Sequence, residues 1–118
     1  MSELKDTGGR TFFDTGAQRD SSVDKGHQAD IPPCMINRVA VVFEKGARKY
    51  ERANWTKGIP LSKFHNSATR HILSWAQGFE DEDHLAQAIW NLSCAMQTEE
   101  WIKAGKRPAE LDDLIYRK

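Results

Sequence analysis

The chain reads as all-α: a helical bundle of three main helices plus a short C-terminal helix and an irregular N-terminal arm, with assembly into an oligomer. Three observations predict this. Apolar residues recur at helical spacing in three separate segments, and those segments are punctuated by Pro and Gly. No stretch alternates convincingly with period two, and neither a GxGxxG turn nor a P-loop is present. The length, 118 residues, fits one domain with a modest core, a size at which association often adds stability.

Residues 1 to about 30 are rich in Gly, Ser, Asp and Thr and poor in aliphatic residues. They read as an extended arm with one apolar anchor, the pair Phe12-Phe13, packing on the body or on a neighbouring subunit. The helical domain follows over 31–118. Asp30, Pro32 and Pro33 are helix-start chemistry. Met35, Val39, Val42, Phe43, Gly46 and Tyr50 then form the i, i+3, i+4, i+7 stripe of a first helix.

The segment "RANWTKGIP" is a loop. A second helix is expected from about Leu61 to Gln77, stopped by Gly78, with Leu61, Phe64, Ala68, Ile72 and Trp75 as its apolar face. The third helix is expected to begin in the acid run Glu80 to Asp83 and to end at Gly105. Leu85, Ala88, Ile89, Leu92, Met96 and Ile102 form its expected core stripe, and His84, Gln87, Asn91 and Thr98 a polar seam. A helix apolar on two sides with a polar seam belongs between neighbours. Pro108 opens the expected C-terminal helix.

Composition excludes several functions. Lys+Arg and Asp+Glu are 17 each, so the chain is not expected to bind nucleic acid directly or to coat an anionic membrane. Two cysteines, Cys34 and Cys94, lie far apart without metal-site spacing and read as reduced thiols. The start is polar and no apolar run reaches membrane-spanning length, so a cytoplasmic protein is expected.

Chemistry concentrates in three places. Acids beside a helix N-terminus suit its dipole, but four in a row exceed what capping requires, and a hard cation such as Mg²⁺ relieves their repulsion. His71, with Arg70 and Ser67, occupies the side of the second helix that matches the His84, Gln87, Asn91 seam. If the two helices are antiparallel neighbours, the seams meet and need hydrogen-bond partners or a ligand. The segment "EKGARKYERANW" sets Lys45, Arg48, Lys49 and Arg52 among Tyr50 and Trp55. It reads either as a solvated face or as a phosphate clamp with rings for a base.

The run of "EKGARKYERANW", "SATRH" and "DEDHLAQAIWN" resembles the phage-type dATP/dGTP diphosphohydrolase N-terminal domain family, related to the MazG-like all-α nucleotide pyrophosphatases. The similarity runs from about Thr15 to about Leu114. It implies an oligomeric bundle with a Mg²⁺-assisted site (Mn²⁺ as a substitute) between helices. The implied reaction converts a (deoxy)purine nucleoside triphosphate, dGTP or dATP, to monophosphate and pyrophosphate, in the host cell's cytoplasm if the chain is phage-encoded. In the wider superfamily, carboxylates in ExxE and ExxD patterns hold the metals. A plausible register places His71 and Asn91 where two of those carboxylates stand, and Gln87 where many relatives carry histidine. The chain therefore departs from the pattern at its ligands.

On this reading Asp83, with Glu80 or Asp81, holds Mg²⁺. His71 or His84 accepts the attacking water's proton or bonds a phosphate oxygen, and Asn91 shares the seam. Arg70, Lys45 and Lys49 neutralise the leaving pyrophosphate. Asn54, Trp55, Tyr50 and Gln87 contact base, sugar or phosphate. The missing carboxylates leave two alternatives: a protein that sequesters a nucleotide or cyclic nucleotide without cutting it, and an accessory helical protein whose polar seam is a subunit interface.

Overall fold

The computed structural model describes residues 9–117; the first eight residues of the expected arm lie outside them. The chain forms two compact units, Met1–Ile31 and Pro32–Lys118.

In the first unit, strands β1 (Arg10–Phe12) and β2 (Gln18–Asp20) pair antiparallel, Thr11 opposite Arg19. Phe13 N–H donates to the Ala17 carbonyl at 3.0 Å, and Gly16 takes the left-handed conformation (φ +90°) that closes the turn. The arm is thus a hairpin rather than irregular. Three-residue strands are too short to display a period-two pattern. Phe12 and Phe13, the expected anchor, are both exposed in the single chain.

The second unit is an all-α bundle of α1 (Pro33–Lys49), α2 (Leu61–Ala76) and α3 (His84–Lys103). No helix among the described residues is long and apolar enough to cross a membrane. Pro33 stands in the first turn of α1, where its missing N–H costs nothing. α2 and α3 end in the same device. Gly78 N–H donates to the Trp75 carbonyl and Phe79 N–H to that of Ser74; Gly105 and Lys106 repeat this on Ile102 and Trp101. Both glycines have positive φ, and the orphan carbonyls of each last turn are satisfied.

α3 packs against both other helices, more extensively against α2. His71 meets His84 while Phe64 meets Trp90, so α2 and α3 are antiparallel. Arg38 meets Asp83 and Phe43 meets Trp90, so α1 runs with α3. The core gathers Leu61, Phe64 and Cys94, with Trp55, Trp90 and Ile102 against them.

The buried face of α3 differs from the expected one. Leu92 and Met96 are 46% and 62% exposed, whereas His84, Asn91 and Thr98 are buried. Helical phase explains the exchange: Ala88 and Cys94 are buried beside the seam and are small enough for close approach, and the seam's polar groups are satisfied locally. Asn91 Nδ2 donates to the Gln87 carbonyl and Thr98 Oγ1 to that of Cys94, both at 2.8 Å. On α2, Leu61, Phe64 and Ala68 are buried as expected, but Ile72 and Trp75 are exposed.

The C-terminal segment makes two 3₁₀ turns, Ala109–Leu111 and Ile115–Arg117, instead of one short helix. Its acids are engaged elsewhere. Asp113 accepts from Ser62 N–H at 2.8 Å and Ser62 Oγ at 2.6 Å, capping α2 across the fold, and Asp112 binds Arg117. Arg107 stacks on Trp101 at 4.5 Å and donates to the Thr56 carbonyl, which fixes the loop between α1 and α2.

Candidate functional site at the α2–α3 turn

The turn between α2 and α3 sets the site. Gly78 reverses the chain, and the acid run follows as irregular backbone, so α3 starts after the acids rather than within them. Asp83 is the N-cap: its Oδ1 accepts from Ala86 N–H at 3.2 Å. The same carboxylate is held by Arg38 through Nε at 2.8 Å and a terminal guanidinium nitrogen at 2.5 Å. That pair holds Asp83 below the usual carboxylate range.

His71, one turn from the end of α2, and His84, first residue of α3, face each other with Nδ1 to Nδ1 at 2.9 Å. His84 Nε2 lies 2.9 Å from Asp81 Oδ1. This bond lowers the Asp81 pKa, so Asp81 is an acceptor here and the proton belongs to His84 Nε2. In the neutral pair His84 Nδ1 then accepts and His71 Nδ1 donates. His71 is left with a lone pair on Nε2. Burial, the largest cause, pushes the His71 pKa down and favours that neutral form.

The pair opens on a depression of about 230 Å³ lined by Arg70, His71, Ser74, Phe79, Asp81, Glu82 and His84. Arg70 is an exposed cation at its edge, and Phe79 an exposed ring at its rim. His71, Glu82 and His84 each offer one ligating atom within 4.8 Å of the others. Among the described residues no other trio of His, Cys or acidic side chains converges in this way.

Four of the residues nominated from sequence therefore meet here: Arg70, His71, Asp81 and His84. Glu82, Ser74 and Phe79 join them. Nothing in four consecutive acids distinguishes Glu82, because the backbone turn decides which carboxylate faces inward. The other nominated residues lie off this depression. Glu80 is exposed, and Asp83 faces Arg38. Asn91 is buried two turns further along α3, and Gln87 reaches Glu82 only at 3.5 Å. Lys45, Lys49 and Tyr50 are exposed on the last turns of α1, Lys49 lying over the Tyr50 ring at 5.3 Å. Asn54 is half-buried in the loop. Trp55 stacks on Trp101 at 5.8 Å and meets Phe43 at a tilt, so one face of its ring is taken up by packing.

A family model described as dATP/dGTP diphosphohydrolase, N-terminal, matches residues 15–107. The chain belongs to this family. The match begins within the hairpin's turn and covers all three helices and every residue around the depression. The family's description names a diphosphohydrolase acting on dATP and dGTP. No curated protein and no solved structure matches the chain.

The Mg²⁺ implied by the resemblance can be set against the donors present. Mg²⁺ takes oxygen ligands in near-octahedral geometry. Here Asp83 is bound by Arg38 and Asp81 by His84, and the trio that converges supplies two imidazoles and one carboxylate. That donor set does not fit a resident Mg²⁺.

Proposed function

We propose that the protein hydrolyses a (deoxy)purine nucleoside triphosphate, dATP or dGTP, to the monophosphate and pyrophosphate at the α2–α3 turn. The supporting observation is the chain Asp81–His84–His71 beside Arg70 in an open depression, in a member of a family described as diphosphohydrolases. The substrate is the Mg²⁺ complex of the nucleotide (or its Mn²⁺ complex), the ion arriving on the phosphate oxygens.

The triphosphate lies along Arg70, whose guanidinium offsets the charge that builds on the departing pyrophosphate. A water attacks the α-phosphorus from the side of His71. Its proton passes to His71 Nε2, the bond from the α-phosphorus to the oxygen bridging the α and β groups breaks, and pyrophosphate leaves. His84, anchored by Asp81, holds the His71 ring through Nδ1 so that Nε2 faces the water. The exposed Phe79 ring gives a purine a face to stack on.

Ligand pockets usually enclose about 300–1,000 Å³, and an open depression of about 230 Å³ cannot bury a whole nucleotide. A homo-oligomer belongs to the same reading. Ile72 and Trp75, exposed on the last turns of α2, offer apolar surface near the depression for a second copy, which then completes the wall around base and sugar.

Pyrophosphate release by the purified chain with Mg²⁺ and each dNTP tests the reading. Activity on dATP or dGTP that His71→Ala abolishes supports it, and identical turnover in that variant discards it. A second reading, binding without cleavage, draws on the engagement of Asp81 and Asp83 by protein partners. It is selected instead if nucleotide binds tightly and is recovered intact.

A further inference from the structure

We infer that His71, Glu82 and His84 form a binding site for a divalent transition-metal ion of the zinc class. Two helices and the loop between them each supply one donor, all within 4.8 Å of one another. The donors are two nitrogens and one oxygen, the set preferred by Zn²⁺, Co²⁺ and Ni²⁺ and poorly suited to Mg²⁺. A tetrahedral ion with Zn–N bonds of about 2.0–2.1 Å holds two imidazole nitrogens roughly 3.3 Å apart. The His71 and His84 Nδ1 atoms stand at 2.9 Å as a hydrogen-bonded pair, so the rings must part and turn until both lone pairs meet at the ion.

The supporting shell is also built. A ligating histidine almost always donates its other ring nitrogen to a carboxylate or carbonyl, and His84 does so to Asp81 at 2.9 Å. His84 is buried, so its ring is held with Nδ1 toward His71. Glu82 is exposed, its carboxylate held only by a 3.5 Å contact from Gln87 Nε2, and it lines the same depression as the two imidazoles.

The site rests on this geometry and not on the hydrolase reading, but the two are coupled. An ion on both Nδ1 atoms displaces the proton between the rings. His71 then carries its proton on Nε2 and has no lone pair left to accept one from water. Occupancy by a zinc-class ion therefore stops the proposed hydrolysis, while Mg²⁺ riding on the nucleotide does not.

The test uses the full chain carrying Cys34→Ser, to remove the exposed thiol as a competing ligand. Titration of the chelator-treated protein with Zn²⁺ by calorimetry, and with Co²⁺ by visible absorption, should give one ion per chain and the d–d bands of a four- or five-coordinate site. Mg²⁺ should neither produce those heats nor displace Co²⁺. Glu82→Ala removes an exposed side chain and should leave helix content unchanged while weakening Zn²⁺ binding. His71→Ala should abolish the Co²⁺ bands. Asp81→Asn, acting through His84, should weaken binding by about 10–100-fold. Undiminished Zn²⁺ affinity in both Glu82→Ala and His71→Ala, or displacement of Co²⁺ by equimolar Mg²⁺, overturns the site. A site that binds Zn²⁺ in a protein with no turnover under any condition leaves this inference standing and removes the hydrolase reading instead.

Discussion

The two ends of the α2–α3 pair are made of different materials. Where α2 begins and α3 ends, hydrocarbon meets aromatic rings: Phe64 lies edge-on to Trp90 at 6.2 Å, Cys94 is fully buried, and Trp55 stacks on Trp101. Where α2 ends and α3 begins, two imidazoles meet under carboxylates and a guanidinium. The first end lowers free energy by removing apolar surface from water. The second exposes its acids and holds polar groups whose bonds only offset their desolvation. The apolar end holds the helices together, and the polar end uses the geometry so fixed.

Breaking the apolar end should have the largest effect. Phe64→Ala removes a ring that is 2% exposed, and such truncations cost about 3–5 kcal/mol, a large part of a small domain's stability. Denaturant unfolding should show the loss as a lower midpoint, with metal binding and turnover failing together because the frame has gone. His71→Ala should do the reverse. Loss of a general base lowers turnover by about 10²–10⁴-fold, while the same unfolding experiment should show a change of about 1 kcal/mol or less, the net worth of one hydrogen bond. A His71→Ala protein as unstable as Phe64→Ala would make the imidazole pair a structural element.

Asp83 separates the cap from the site. Asp83→Ala deletes the α3 cap, worth about 1 kcal/mol, and frees Arg38. Asp83→Asn keeps a cap acceptor and should recover most of the loss in thermal unfolding. Turnover in both variants should stay within a few-fold of the parent, since this carboxylate faces Arg38 and not the depression.

The apolar end was legible in the sequence to the extent that its residues obey helical period. Leu61, Phe64 and Ala68 predict the buried face of α2 because nothing competes for it. The same rule misjudged α3. A helix between two neighbours has more than one buried face, and hydropathy cannot rank Leu92 and Met96 against Asn91 and Thr98 once those polar groups bond their own backbone. At the polar end, His71 and His84 were legible as facing seams. The choice of Glu82 over Glu80 was not, because it follows from the turn at Gly78 and from Arg38, 45 positions from Asp83 in sequence, capturing that acid. The expected C-terminal helix failed for the same reason: Asp113 in that segment caps a helix 51 residues away.

The cysteines sample the two environments without mutation. Cys94 is fully buried, and burial pushes its thiol up to about 12, whereas Cys34 is exposed. A thiol reagent added to the native protein near neutral pH should modify one cysteine per chain at once and the second only on denaturation. Rapid modification of both would mean that the apolar end opens under native conditions.

The smallest effect lies in pH. His71 is held below the ordinary histidine value of 6.5, first by burial and then by the nearby His84 and Arg70, with Glu82 and Asp81 opposing. The folded state therefore binds this proton less readily than the unfolded chain does. His71 lowers stability as pH falls below about 6.5 and stops changing it below the folded pKa. Its base form also persists to lower pH than a free imidazole's. The acid limb of kcat/KM should fall below 6.5, and Arg70→Ala should move it upward by a fraction of a pH unit, because one cation opposing protonation has gone. Glu82→Gln, which removes an opposing anion, should move the limb the other way. An acid limb above 6.5, or one that neither variant moves, would place the titrating base outside the imidazole pair and leave the polar end without its proposed role in proton transfer.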